Sequence, residues 1–341
     1  MLGRKVPQQR LKSNIDYEHY IAIDWSMRIM AIAHMSQRSK GPKIQERPSN
    51  ITEVKEYLSS LRGPKILAFE ETTTAQWLYL ELTDFVDRII ICDPFRNRLL
   101  LEGPKTDKID AAKLCLLLRA GLLKEVFHSA DRLYELRTLV GAYEDLVQAG
   151  VRKMNQWNAL ERGHFTTSSN AIFILDHIKK SVKVYRASKK EYEKKFEEIL
   201  KKHSLAKYQT EIPGIGTIGA AKVVATVVDA HRFPYTGKFW NYCGLVENQK
   251  YSGGRRYGHR RPRFNRRLKS VYKTAAITCL TGRNNPMRQY YEYLIAKGTA
   301  EHNARNAVAR YIAKVSYGML KNGQHYKPQH GRIEASEQQK T

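Results

Sequence analysis

Apolar and polar positions change their rhythm once along this chain. Before about residue 130 the apolar residues fall in short runs of strand length, and after it they recur at helical spacing over long stretches. Tyr20-Ile-Ala-Ile-Asp24 is a β-type run that ends in an acid. Ile29–Met35 is a second apolar run, which pairs with the first as a hairpin across Trp25–Arg28, and Lys43–Arg47 supplies a third strand. Ile51–Leu61 reads as an amphipathic helix, Lys65–Glu70 as a strand, Gln76–Phe85 as a helix and Arg88–Cys92 as an apolar strand. A third helix follows from Ile109, Leu114, Leu117 and Leu118, with Asp107 and Asp110 at its head.

The resulting order, β-β-β-α-β-α-β-α, is that of a ribonuclease H-like domain: a mixed sheet flanked by helices, with acids at strand ends and on a late helix. From Asp131 to about His164 a stripe of Leu133, Leu136, Leu139, Val140, Tyr143, Leu146 and Val147 lies near heptad spacing. A second long helical pattern covers 171–203. The two suggest an antiparallel coiled-coil hairpin, an arm for dimerisation or strand grip. In the third unit, Ile212-Pro-Gly-Ile-Gly-Thr-Ile-Gly219 joins a helix to an Ala/Val-rich one in the shape of a helix-hairpin-helix. Gly214 and Gly216 there either let backbone N–H groups reach a phosphate or merely allow tight packing. Helical patterns at 264–280 and 305–320 close this unit. The expected organisation is a basic disordered arm (1–18), an α/β domain (19–125), a helical coiled-coil (130–204), a mainly α domain (205–330) and a polar tail (331–341).

Charge narrows the choice of partners. Lys and Arg number 59 against 33 Asp and Glu, a net charge of +26, which calls for a polyanion, nucleic acid above all. A membrane fits less well. No basic amphipathic anchor stands out, and no apolar run approaches the roughly 20 residues of a spanning helix. The opening MLGRKVPQQRLKSN has no apolar core and is not a secretory signal. Cys92, Cys115, Cys243 and Cys279 lack paired spacing and read as buried thiols in a reducing compartment, the cytoplasm or nucleoid. Between Asn248 and Tyr291 there are twelve Lys or Arg and no acid. Lys250, Arg255, Arg256, Arg260, Arg261, Arg263, Arg266 and Arg267 carry most of that run, with Tyr251, Tyr257 and Phe264 interleaved for stacking.

Against this cationic background the acids are conspicuous. Asp107 and Asp110 are three apart on one side of a helix start, where they also suit the helix dipole. With Asp24 and Glu70 they form a hard-oxygen set suited to magnesium and to phosphoryl transfer. Glu71 is the alternative to Glu70, because strand faces cannot be told apart at that point. Ser252, in Tyr251-Ser-Gly-Gly-Arg-Arg256, places a hydroxyl in a flexible cationic loop. It is either a nucleophile or a phosphate-contacting serine, and its base is either His259, seven residues on, or a metal-bound carboxylate.

Taken together, AIDWS around Asp24, AFEET around Glu70, KTDKIDAAKL around Asp107 and Asp110, IPGIGTIGAAKVVA, RFPYTGKFWNYCGL and the SGG of Ser252 resemble one family in its own order. That family is the DEDD-type insertion-sequence transposases, the bridge-RNA-guided serine recombinases, with the pilin-gene invertases as relatives. One departure is Phe264-Asn265, where members usually carry a glycine before the asparagine. The resemblance implies a RuvC-like N-terminal domain whose Asp24, Glu70, Asp107 and Asp110 bind magnesium. It implies that Ser252 attacks DNA to give a phosphoserine intermediate, in tetramers built from dimers. Donor and target DNA would pair with a noncoding guide RNA. Two other readings stand beside it: a metal-dependent junction-resolving nuclease with no covalent intermediate, and a non-catalytic nucleic-acid-binding protein.

Overall fold

The computed structural model describes residues 16–97, 106–129, 133–163, 168–260, 263–282 and 285–328. Most of the basic arm, the polar tail, the first residues of the expected coiled-coil and Arg261 lie outside the described residues. The chain forms two compact units, 1–131 and 132–341.

The first unit is a six-stranded sheet in the order β3-β2-β1-β4-β5-β6. Its strands are β1 (His19–Asp24), β2 (Ile29–Ser36), β3 (Lys43–Pro48), β4 (Lys65–Glu70), β5 (Arg88–Cys92) and β6 (Glu125–Val126). β1 is central, antiparallel to β2 and parallel to β4, which in turn runs parallel to β5. The expected strands are all present. The added β6 is an antiparallel edge of two residues, too short to show any alternation. The helix expected over 76–85 is α-helical only from Ala75 to Leu82 and tightens into a 3₁₀ turn at Thr83–Phe85.

Strand alternation sorts side chains onto two unlike faces. Ile21, Ile23, Met30, Ile32, Leu67 and Phe69 fill one face against α1 (Ile51–Ser60) and α2 (Ala75–Leu82). The other face carries Ala22, Ala31, Ala33 and Ala68, and receives Ala111, Leu114, Cys115 and Leu118 of α3 (Asp107–Arg119). Alanines here let the helix lie close across β1 and β2, which brings its N-terminal acids to the end of the central strands.

A half-buried polar chain crosses the unit on the α1 side. His19 Nε2 lies 2.8 Å from the Arg62 carbonyl, an acceptor only, so this nitrogen donates. His19 Nδ1 then accepts from His34 Nε2 at 2.9 Å, and His34 Nδ1 accepts from the Tyr57 hydroxyl at 2.9 Å. Every proton is thus assigned with both rings neutral. Burial, then repulsion from His19 when that ring is charged and from Lys43, holds the His34 pKa below its ordinary value.

The second unit is mostly helical. α4 (Tyr134–Arg162) and α5 (Ser169–Lys202) run antiparallel, as the contacts of Tyr143 with Phe196 and of Lys179 with Trp157 show. Gly150 lies directly under the Tyr185 ring, where a Cβ would clash. The base of this hairpin shares a core with α6 (Ser204–Gln209), α7 (Thr217–Val227), α8 (Thr236–Tyr242), α9 (Arg266–Thr281), α10 (Pro286–Ala296) and α11 (Glu301–Asn322). Tyr272 is fully buried at its centre, its hydroxyl 2.9 Å from Ser316. A two-stranded ribbon, β7 (Asn248–Ser252) and β8 (Arg255–Arg260), interrupts this helical unit. Among the described residues no helix is long and apolar enough to cross a membrane, and all four cysteines are buried free thiols.

The histidine chain sets a pH dependence. An unfolded His34 takes up a proton near its ordinary 6.5, whereas the folded one resists it, so the contribution of His34 to stability is constant above that pH and falls below it. Protection factors of the amides in residues 19–36, taken relative to the intrinsic exchange rate at each pH, are expected to fall between pH 7 and 5.5. In His34→Phe, which is less stable throughout, that pH dependence is expected to weaken.

Candidate functional site

Asp24 is the last residue of central β1, and Glu70 the last of its parallel neighbour β4. The ladder between them runs through Ala22 and Ala68, so the two acids stand at the same level beyond it. Thr106 caps α3, its hydroxyl accepting from Ile109 N at 3.3 Å, and Asp107 and Asp110 occupy the first turn. Burial, followed by the charges of Asp107, Glu70 and Asp110, pushes the Asp24 pKa up to about 6. The other three expected acids are thus near enough for Asp24 to feel their charges.

Asp110 Oδ1 is buried there with no hydrogen-bond partner. A carboxylate oxygen left in that state is costly unless a cation or proton comes to it. Even so, among the described residues no three His, Cys, Asp or Glu side chains converge closely enough to hold a metal ion. The acids feel one another without meeting. Their donor chemistry fits a hard divalent cation such as magnesium, toward which the side chains would have to draw in.

Glu70 and Glu71 differ in their neighbours. Glu70 acts on Asp24, while Glu71 is not among the charges that do. Glu71 instead takes His128 Nε2 at 2.6 Å. No motif pointed to His128, which reaches this corner from 57 residues away. Lys108, beside Asp107 in sequence, turns to Glu46 on β3 at 2.7 Å.

Ser252 does not sit in a flexible loop. It is the last residue of β7, paired with Arg255 across a two-residue turn of Gly253 and Gly254, whose φ values are +54° and +75°. Two successive positive φ angles make the tight hairpin turn that glycine allows and other residues resist. Both strands are exposed on both faces. Between the Lys250–Gly258 and Tyr251–Arg256 pairs the register slips, leaving Tyr257 as an extra residue. Lys250 Nζ lies 5.8 Å from the Tyr257 ring centre. His259 is paired with Gln249 and lies four residues from Arg255, about 13 Å along an extended strand. Its ring is turned to Arg256 and toward Glu247, so it is not a local base for Ser252.

The expected cationic interface divides. Lys250, Arg255, Arg256, Arg260, Arg263 and Arg266 are exposed. Arg267 is not available in the same way. Its Nε and Nη2 hold Glu144 Oε2 of α4 at 2.9 and 2.7 Å, while Lys222 takes the other oxygen at 3.0 Å. That side chain ties the helical arm to α9 instead of facing solvent. The two glycines divide as well. Gly214, with φ +86°, presses against the backbone of Ala275 in α9, so its role is packing. Gly216 is exposed at the start of α7, with nothing within 4 Å of where a Cβ would stand. Phe264, the departure noted in the sequence, lies over Gly244 and fills the space a side chain would need there.

Two protein-family models match the chain. One, a DEDD transposase domain of the IS110 type, described simply as transposase, covers residues 21–165 and so includes all four acids. The other, described as the transposase IS116/IS110/IS902 family, covers residues 206–292, from the glycine turn through Ser252 to α10. The chain is thus similar to the IS110/IS116 transposases over two separate stretches. It is 33% identical over 129 residues to an uncharacterized 43.6 kDa protein of insertion element IS110 from Streptomyces coelicolor. It is 28% identical over 140 residues to an uncharacterized 44.8 kDa protein of insertion element IS116 from Streptomyces clavuligerus. These matches take in 38% and 41% of this chain and 32% and 35% of the two relatives, so the chain spans about a third of each relative's length.

The acids and the two glycines can each be probed by measurement. A carbon-13 titration of the Asp24 carboxyl is expected to show a midpoint near 6 that falls toward the ordinary value in Asp110→Asn, which removes one like charge. Ionising Asp24 costs the fold stability as pH rises from 3.8 to about 6, so the apo variant is also expected to melt higher than the parent at pH 7. Separately, Gly214→Ala is expected to cost roughly 1–3 kcal/mol by denaturant unfolding, through crowding at a positive φ. Gly216→Ala, at an unstrained open position, is expected to change stability by under about 1 kcal/mol.

Proposed function

We propose that this protein is the recombinase of its own insertion element, exchanging DNA strands through a phosphoserine intermediate under the guidance of a noncoding RNA. The observation that carries the reading is the gathering of three carboxylates around Asp24 in a chain of net charge +26, within the span matched by a DEDD transposase model. The order of strands and helices around the acids supports a ribonuclease H/RuvC-like domain. Guidance by RNA, and a tetramer in which the acids of one subunit complete the serine site of another, rest on the resemblance.

Asp24, Glu70, Asp107 and Asp110 are the residues that would hold magnesium. When bound, the ion supplies Lewis-acid stabilisation of charge on the scissile phosphate. The rest falls to the chain's own side chains. Lys250, Arg255 and Arg256 bind the phosphodiester, and Tyr251 and Tyr257 offer faces for stacking. Ser252 Oγ then bonds to phosphorus as the bond from phosphorus to a deoxyribose oxygen breaks. The serine loses its proton and the departing oxygen gains one. Attack by the hydroxyl of another strand on the phosphoserine reverses these steps and frees Ser252. The phosphate bond energy is conserved throughout, so no nucleotide cofactor is needed. Arg255, directly across the turn from Ser252, is the candidate to stabilise the developing charge, with Arg256 beside it.

A second reading is favoured by one observation, that His259 is turned to Arg256 and toward Glu247 and is no local base for Ser252. In that reading the acids activate water to cut a DNA junction, and the serine only contacts phosphate. A denaturing gel of the protein with labelled element-junction DNA, target DNA, flanking RNA and magnesium separates the two. A protease-sensitive DNA–protein adduct is expected, absent in Ser252→Ala and Asp110→Asn. Free nicked DNA that persists in Ser252→Ala would establish the hydrolytic reading instead.

A further inference from the structure

We infer that His128 is a positioning residue of the acidic site, holding Glu71 so that Glu70 points at Asp24; this rests on the reading of those acids as a cation site. The argument begins with two adjacent glutamates at the end of β4. Glu70 is the last residue in register with β5, opposite Cys92, and the chain leaves the sheet immediately afterwards. Two carboxylates at such a point compete for the same space, and a fifth negative charge in the cluster would add to a repulsion already felt by Asp24.

The structure separates the two. The Glu71 main-chain N–H donates to the Cys92 carbonyl at 2.9 Å, and its carboxylate is taken by His128 Nε2 at 2.6 Å. Residue 71 is therefore fixed by both backbone and side chain, which sets the direction in which Glu70 leaves the strand. His128 is itself braced. Gln76 of α2 donates through Nε2 to the Ser129 carbonyl at 3.1 Å, which turns its amide oxygen toward the ring. His128 Nδ1 lies 2.8 Å from that oxygen, and with both partners accepting, the two ring nitrogens donate together only when the ring carries two protons. The ring also lies against Tyr79, with centroids 6.0 Å apart, and the His128 side chain is only 11% exposed. A histidine oriented from three sides to grip one carboxylate, beside a cluster that excludes that carboxylate, is an aligning device.

The test is binding of Mn²⁺ to the full chain, read by the loss of its free electron-spin-resonance signal. Asp110→Asn checks the underlying reading: if it binds Mn²⁺ as well as the parent, the acids are not the cation site. With that control behaving as expected, His128→Ala should weaken Mn²⁺ roughly tenfold, the scale on which partners of ligands act. His128→Gln, which keeps a donor toward Glu71, should recover most of the affinity. Glu71→Ala should match His128→Ala, and combining the two should add nothing. Unchanged affinity in His128→Ala, or a His128→Gln no better than it, would overturn the proposal. Should His128→Ala not fold, the partly exposed Glu71→Ala carries the test alone, and parent-like Mn²⁺ binding there would refute it.

Discussion

Four carboxylates repel one another at the end of the first unit's central strands, and much of that unit is organised to keep them there. The force opposing the repulsion is the packing of α3 on an alanine-lined face. Leu114 and Leu118 are both buried in it, each contributing on the order of 1.5–3 kcal/mol. Larger side chains at Ala22, Ala31 or Ala33 would lift the helix and carry Asp107 and Asp110 away from Asp24. The opposite face has no such demand on it and is filled with Ile, Leu and Phe. The asymmetry of the sheet is thus a consequence of where the acids must stand.

The second unit solves a different problem, that of holding together a chain with a large surplus of positive charge. Glu144 does this at one joint, accepting from Lys222 and Arg267 at once and so fastening α4 to α7 and α9. Buried hydroxyls do it at another, where Tyr272, Ser316 and Gln209 satisfy one another in the core. The surplus that remains is carried outward, much of it on the exposed ribbon and at the start of α9.

Much of the first unit was legible because its strands alternate and its acids close them. β4 and β5 begin and end where the pattern places them, and Asp24 and Glu70 close their strands in the sequence as in the structure. The shortfalls have physical causes. The ribbon bearing Ser252 buries neither face, so it has no alternation to read and passes for a loop. β6 is two residues long. Arg267 belongs to a run of like charges whose members look identical until one of them meets Glu144. Gly214 and Gly216 sit in one motif, and only the nearness of Ala275 separates the packing glycine from the open one. His128 could not be found from sequence at all, because its meaning lies in Glu71 and Gln76, which the fold brings to it.

The bare ribbon also bears on how such a protein can change. Side chains on β7 and β8 add nothing to a core, so replacing them carries little folding penalty; only the two-glycine turn is tied to shape. The exposed ribbon is thereby uncoupled from the part of the chain that holds its form. An element built this way can acquire new tastes by drift along two short strands, while the helices beneath it stay as they are.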